Sequence, residues 1–208
     1  MLKVLALLAL GYLMGSIPVG WLVMKLYRNQ DVRRLGSGNI GAANVYRAGG
    51  LGTFIITVVG DALKGAIPVA IAVVLGHPGD LPFIPALVGL AAVAGHTWPI
   101  FLRFHGGKGV ATSGGVILVL APAALVCSVA AWLIVIRLTR VASLSSLVAV
   151  GVGFVSVAIL AATGIAAPYP VGWSVLILGV VLLGLVIVRH RANIERLARG
   201  RELKITTS

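Results

Sequence analysis

Carboxylates are scarce in this chain. Asp31, Asp61, Asp80, Glu195 and Glu202 stand against 17 Lys and Arg. Chemistry that runs on a pair of acidic side chains therefore has little material to draw on. Cysteine is rarer still: Cys127 is alone in an apolar run, which excludes a disulfide framework within the chain and reads as a packed core thiol. No Cys/His group has zinc-ligand spacing, so no structural metal is expected. There is no G-x-S-x-G elbow and no H-x-x-x-x-D pair. A Walker A loop would need Gly where Leu102 stands. No repeat of fixed period is visible. Charge as a whole is thin, at 11%, where a soluble domain carries about a quarter. The net charge of +12 would suggest nucleic acid in a soluble protein. Here no basic domain stands apart from the apolar runs, and nucleic acid is set aside.

What is present is apolar sequence. Hydrophobic residues make up 59% of the 208 residues, and the mean hydropathy is +1.08. Apolar segments cover roughly 3–27, 51–75, 82–102, 111–136, 142–163 and 170–188, each of the order needed to cross a bilayer. This predicts an all-α, polytopic integral membrane protein with one domain over 1–208. The first 20 residues imitate a signal peptide, but no A-x-A-like site follows. "GSIPVGWLVMKLY" carries the run on to Lys25, so the segment reads as a retained first span.

Cations near span ends set the orientation. The 28–50 connection holds Arg28, Arg33, Arg34 and Arg47; the 103–110 connection holds Arg103 and Lys108; the tail from 189 holds six cations. The connections at 76–81 and 164–171 hold none. Basic segments in the cytoplasm put the N-terminus outside. If 111–136 were a single span, Arg137, Arg140 and the tail would then fall outside. Pro122, which removes a backbone donor and disfavours helix before it, resolves the conflict. It predicts two short helices, about 111–120 and 122–137, forming a hairpin that enters and leaves on the cytoplasmic side. The count becomes seven helical elements with the C-terminus cytoplasmic.

This arrangement gathers the polar clusters on one face. "RRLGSGNIGAANVYRAGG" (33–50) is dense in Gly, amides and arginine; it reads as an anion-binding nest or as a plain cytoplasmic loop. In "GHTWPIFLRFHGGKGVAT" (95–112), Gly106, Gly107 and Gly109 allow close backbone approach to a ligand. Lys108 offers a point charge suited to phosphate, and Val110, Ala111 and Thr112 begin a helix whose amides would face an anion; a tight turn is the alternative. "RVASLSS" (140–146) places hydroxyls just inside a span, where capping also explains them. In "RHRANIERLARG" (189–200), His190 and Asn193 share a helical face, and the arginines suit anionic lipid equally well. Asp61 and Lys64, three apart inside a span, are expected to pair; spacing leaves open whether the pair is structural or borders a site. His96 reads either as a core hydrogen-bonded histidine or as a site residue.

Six ordered motifs carry a resemblance: "GSIPVG" (15–20), "GSGNIGAANV" (36–45), "DALKG" (61–65), "GHTWPIFLRFHGGKGVAT" (95–112), "SLSS" (143–146) and "HRANIERLARGRE" (190–202). The chain resembles the bacterial acyl-phosphate:glycerol-3-phosphate acyltransferase family over essentially its whole length. The resemblance implies a seven-helix enzyme of the plasma membrane, its active site facing the cytoplasm. Such an enzyme transfers an acyl chain from acyl phosphate to the 1-position of glycerol 3-phosphate, giving lysophosphatidic acid and phosphate, without a cofactor. The partners are those two substrates and membrane lipid, with the chain acting as a monomer. The matching catalytic positions are Ser37, Arg47, Lys108, His190 and Asn193. The substrate-binding positions are Gly38, Asn39, Asn44, Gly106, Gly107, Gly109, Val110, Ala111, Thr112 and Ser143. Ala43 departs from the family, which has Thr there. Acyl phosphate is already activated, so positioning and fixed charge do most of the work, and the missing carboxylate base matters less. The hydroxyl proton goes to the donor phosphate or to His190. Small residues such as Gly114, Gly115 and Ala121 would leave room for the acyl chain. A transporter of an organic phosphate is the competing class; clustering of the motifs on one face and the lack of an inverted repeat oppose it.

Overall fold

In the computed structural model, residues 1–75, 83–164 and 172–205 are described. His77, Asp80 and the cation-free connections at 76–81 and 165–171 lie outside them. Among the described residues every regular element is helical. The chain clusters into two compact units, Met1–Val116 and Ile117–Ile205, where the sequence reads as one domain.

The first unit opens with α1 (Leu2–Ser16) and α2 (Val19–Arg28). The sequence reads them as one span, and the run of 27 residues is long and apolar enough for that. Pro18 breaks it: Ile17 is extended, at φ −59° and ψ 117°, the conformation a following proline enforces. A 3-10 turn (Val32–Arg34) leads to α3 (Ala42–Gly49), then α4 (Leu51–Leu75) and α5 (Ile84–Thr97). A second 3-10 turn (Ile100–Leu102) precedes α6 (Val110–Leu120). Helices meet at backbone distance where glycines remove side chains, the usual device in lipid. A Cβ on Gly15 would strike the carbonyl of Ala92, one on Gly95 that of Tyr12, and one on Gly115 that of Ala62. Gly115 is thus a helix contact, and Ala121 is fully buried; neither opens the acyl groove expected of them.

The second unit holds α7 (Pro122–Thr139), α8 (Ala142–Thr163), α9 (Trp173–Arg189) and α10 (Arg191–Ala198). α7 and α8 are joined through Arg140 and Val141 and pack as an antiparallel pair, with Trp132 Nε1 donating to Ser146 Oγ at 3.4 Å. α9 and α10 are bent by 60° at His190. Cys127 is exposed on α7, contrary to the packed thiol expected, because Ala124 is the only residue of this helix that is buried. Such a surface suits lipid.

The described residues hold ten α-helical segments where the sequence suggests seven. The difference comes from the break at Pro18, from the short amphipathic helix α3 in a segment read as a loop, and from the bend at His190 that separates α10 from α9. The break before Pro122 falls where proline predicts it. α7 runs 18 residues, about 27 Å, so it is by itself long enough to cross a bilayer; α6, with 11, is not.

Candidate active site

The first polar cluster is tied together by Asn44. Its side chain is buried and donates from Nδ2 to the carbonyls of Val32 (3.0 Å), Leu35 (2.9 Å) and Asn39 (2.9 Å), while Oδ1 accepts from the Ser37 amide at 2.9 Å. Both ends of its amide are engaged with the loop. Asn44 is a stitch that shapes the loop. Asn39 Oδ1 accepts from the Gly41 amide at 2.8 Å, an Asx turn that starts α3. Gly38 has φ +70°, the left-handed region that favours glycine. Ser37 lies exposed on this loop, and Arg47 is half-buried one turn after Asn44. A core of Met24, Val32, Ile40, Val45 and Leu102 seats the loop. Leu102 belongs to the second cluster, so this core holds the two together. Asp31 caps the first 3-10 turn and pairs with Arg33. The guanidinium beside it holds its carboxyl well below the usual carboxylate range.

In the second cluster, the Gly106 amide donates to the carbonyl of Thr97 (3.2 Å) and the Gly107 amide to that of His96 (3.0 Å). The loop is thereby folded back onto the end of α5. A Cβ on Gly106 would strike the His96 carbonyl, and one on Gly107 the His96 ring. Packing on α5 leaves no room for a side chain at either glycine. Gly109, at φ +86°, makes the turn into α6. The amides of Val110, Ala111 and Thr112 fall in the first turn of α6 and have no partner within the helix. Thr112 and Ser113 are buried, and their hydroxyls find no partner among the described residues. Lys108, half-buried, stands two residues before the start of α6. One cation, helix-start amides and two hydroxyls make an anion-binding group. Ser113 was not expected; its sequence signal is a hydroxyl in the first turn after the glycine loop.

The second unit carries its own cluster. Glu202, with a side chain 4% exposed, accepts from Ser143 Oγ (2.9 Å), Asn193 Nδ2 (2.5 Å) and Arg196 Nε (2.7 Å). The tail also returns through the Ile205 amide, which donates to the carbonyl of Arg140 at 2.7 Å. Glu202 escaped the sequence reading; its one signal was an acid inside a basic run. His190, 2% exposed, sits at the corner between α9 and α10, with Nδ1 2.8 Å from the Val186 carbonyl. That contact places the proton of a neutral ring on Nδ1 and leaves Nε2 as the acceptor side.

Burial pushes the Glu202 carboxyl up, and the three donors more than offset it, so its pKa lies below the ordinary 4.5. A depressed pKa adds stability that is complete above the unfolded value and is lost as pH falls through the folded one. The unfolding midpoint of the wild type should therefore drop more steeply below about pH 4.5 than that of Glu202→Gln. Parallel traces would show that the carboxylate is not linked to folding. At neutral pH Glu202→Ala should cost about 2 kcal/mol, since three donors lose their acceptor but Arg196 remains partly solvated.

The family model described as glycerol-3-phosphate acyltransferase matches residues 5–200. The chain belongs to this family. It is 42% identical to a glycerol-3-phosphate acyltransferase of Desulforudis audaxviator over 99% of this chain and 97% of that one. With one of Rubrobacter xylanophilus the identity is 46% over 98% and 96%. A crystal structure of PlsY, an integral membrane glycerol 3-phosphate acyltransferase in its glycerol 3-phosphate form, superposes with a TM-score of 0.86 at 39% identity, covering 97% of this chain and 95% of that one. The lysophosphatidic acid form of PlsY gives 0.83. The protein is thus a membrane-integral acyltransferase of glycerol 3-phosphate, and the clusters above are its candidate catalytic and binding groups.

Proposed function

We propose that the protein transfers an acyl chain from acyl phosphate to the 1-position of glycerol 3-phosphate, releasing inorganic phosphate and leaving lysophosphatidic acid for phospholipid synthesis. The observation that carries this reading is the start of α6, where Lys108, first-turn amides and the hydroxyls of Thr112 and Ser113 are gathered. The substrate- and product-bound forms of PlsY, at 39% identity, support the same acceptor and product here. The donor must already be activated, because the site groups include no acid or base beyond His190 and a clamped Glu202. With acyl phosphate, the acceptor hydroxyl oxygen attacks the carbonyl carbon, the acyl–oxygen bond to phosphate breaks, and the departing phosphate takes up the hydroxyl proton. In the first unit Lys108 and the amides of Val110, Ala111 and Thr112 hold a phosphate. Ser37 and Arg47 stand on the loop shaped by Gly38, Asn39 and Asn44. In the second unit Glu202 fixes Ser143 and Asn193, and His190 sits at the corner between α9 and α10 with Nδ1 on the Val186 carbonyl. No cofactor is called for.

The deciding assay uses purified protein in detergent with palmitoyl phosphate. Phosphate release should require glycerol 3-phosphate and match lysophosphatidic acid formed. A phosphate transporter would release none, and turnover with acyl-CoA in place of acyl phosphate would overturn the donor.

The reading also places the enzyme in the bacterial plasma membrane, as a monomer with the N-terminus outside, the C-terminus inside and the active site facing the cytoplasm. In a Cys127→Ser background, Thr139→Cys should react with an impermeant maleimide only in inside-out vesicles, and Ala121→Cys in neither orientation. Labelling of position 139 from outside would reverse the topology.

A further inference from the structure

Inside the first unit a chain of buried polar groups ends on the glycine loop. Ile17, left extended by Pro18, has a carbonyl that accepts from Lys64 Nζ at 2.8 Å. Lys64 pairs with Asp61 at 2.9 Å, and Asp61 Oδ1 lies 3.6 Å from His96 Nδ1. Asp61, Lys64 and His96 are 3%, 4% and 3% exposed. Charges are kept at such depth only when they are paired and functional or structural. The pair itself answers the question left open by spacing: Lys64 clasps the break in the first span. His96 does something further. Its carbonyl receives the Gly107 amide, and its ring fills the space that a Cβ on Gly107 would need. One residue thus fixes the loop backbone by a hydrogen bond and by contact, immediately before Lys108.

We propose that His96 is a positioning residue, buried beside the Asp61–Lys64 pair, that sets where the Gly106–Gly109 loop places Lys108 and the start of α6. The inference rests on the phosphate-binding reading of that loop. His96 touches no substrate; it acts through Gly107. A displacement of about 1 Å at a positioned group costs on the order of 100-fold in rate, so a ring this tightly set against the loop has a large lever.

The test is a double-mutant cycle between His96 and Gly107. Gly107→Ala alone adds a methyl against the imidazole and should lower kcat/KM by about 100-fold. In a His96→Ala background the ring is gone and the methyl has room, so the same change should cost little more. His96→Ala alone should lower kcat/KM with a fall in kcat, because the cation and amides remain but are misplaced. His96→Asn keeps a donor near the Nδ1 position and serves if the alanine variant does not fold. Every variant is also scored by the rise of its unfolding midpoint with inorganic phosphate. Wild type should be stabilised by phosphate, and both single variants less so. Equal losses from Gly107→Ala in both backgrounds, or wild-type kcat/KM and phosphate response in His96→Ala, would overturn the proposal. A wild type that responds to phosphate but turns over no acyl phosphate would sink the donor reading alone, leaving the cycle to be read from the midpoints.

Discussion

Lys108→Ala is expected to lower turnover by about 10²–10³-fold while the protein still inserts and folds. The residue is half-buried at the mouth of α6, so removing its side chain opens no core cavity. What is lost is a fixed cation where charge builds on a phosphate as an acyl–oxygen bond forms or breaks. Such a charge needs no reorganisation at the moment of reaction, which is why single preorganised donors have effects of this size. The first-turn amides and the hydroxyls of Thr112 and Ser113 stay in place, so the variant should keep measurable activity. Lys108→Arg restores the charge in a broader planar fork and should recover only part of it. The measurement is phosphate release at saturating substrates, with unfolding midpoints as the folding control. Near-wild-type turnover in Lys108→Ala would mean that the loop is only a turn.

Gly107→Val bears on the same loop for a different reason. The sequence suggests that glycine there admits a ligand; the structure gives it a neighbour, the His96 ring. Both readings predict inactivation, so this variant cannot choose between them, whereas Gly107→Ala in the two His96 backgrounds can.

The same contrast runs through the whole chain. The long apolar runs and Pro122 were legible because hydropathy and proline act locally. Pro18 carries the same local signal, but no charge conflict pointed to it as Arg137, Arg140 and the tail pointed to Pro122. The roles of Asn44 and Glu202 were not legible. Asn44 reads as a polar loop residue, and only its burial shows that its amide is spent on Val32, Leu35 and Asn39. Glu202 meets Ser143 across 59 residues, a distance no spacing rule reaches. The motif residues were thus recognisable as a set, while the division between groups that face a substrate and groups that hold the loops depended on tertiary contacts.

His190→Asn should raise KM for glycerol 3-phosphate by about 10- to 100-fold and leave the acid limb of the pH–rate profile standing. With Nδ1 on the Val186 carbonyl, a neutral ring carries its acceptor lone pair on Nε2. From Nε2 two roles are open: to take the proton of the acceptor hydroxyl, or to hold that hydroxyl while the departing phosphate takes the proton. A histidine base gains a full positive charge. The partner at Nδ1 is a neutral carbonyl, which steadies an imidazolium less than a carboxylate does, and Arg189 and Arg191 flank it in sequence. The donor phosphate, by contrast, lies beside the attacking oxygen by necessity and already carries negative charge. Holding is therefore the better assignment. The profile is measured on His190→Asn with saturating acyl phosphate. If histidine were the base, its protonation would switch the wild type off in acid and the variant would lose that limb. Loss of the limb with saturation by glycerol 3-phosphate unchanged would overturn the assignment, whereas a surviving limb with a raised KM would leave proton transfer to the phosphate.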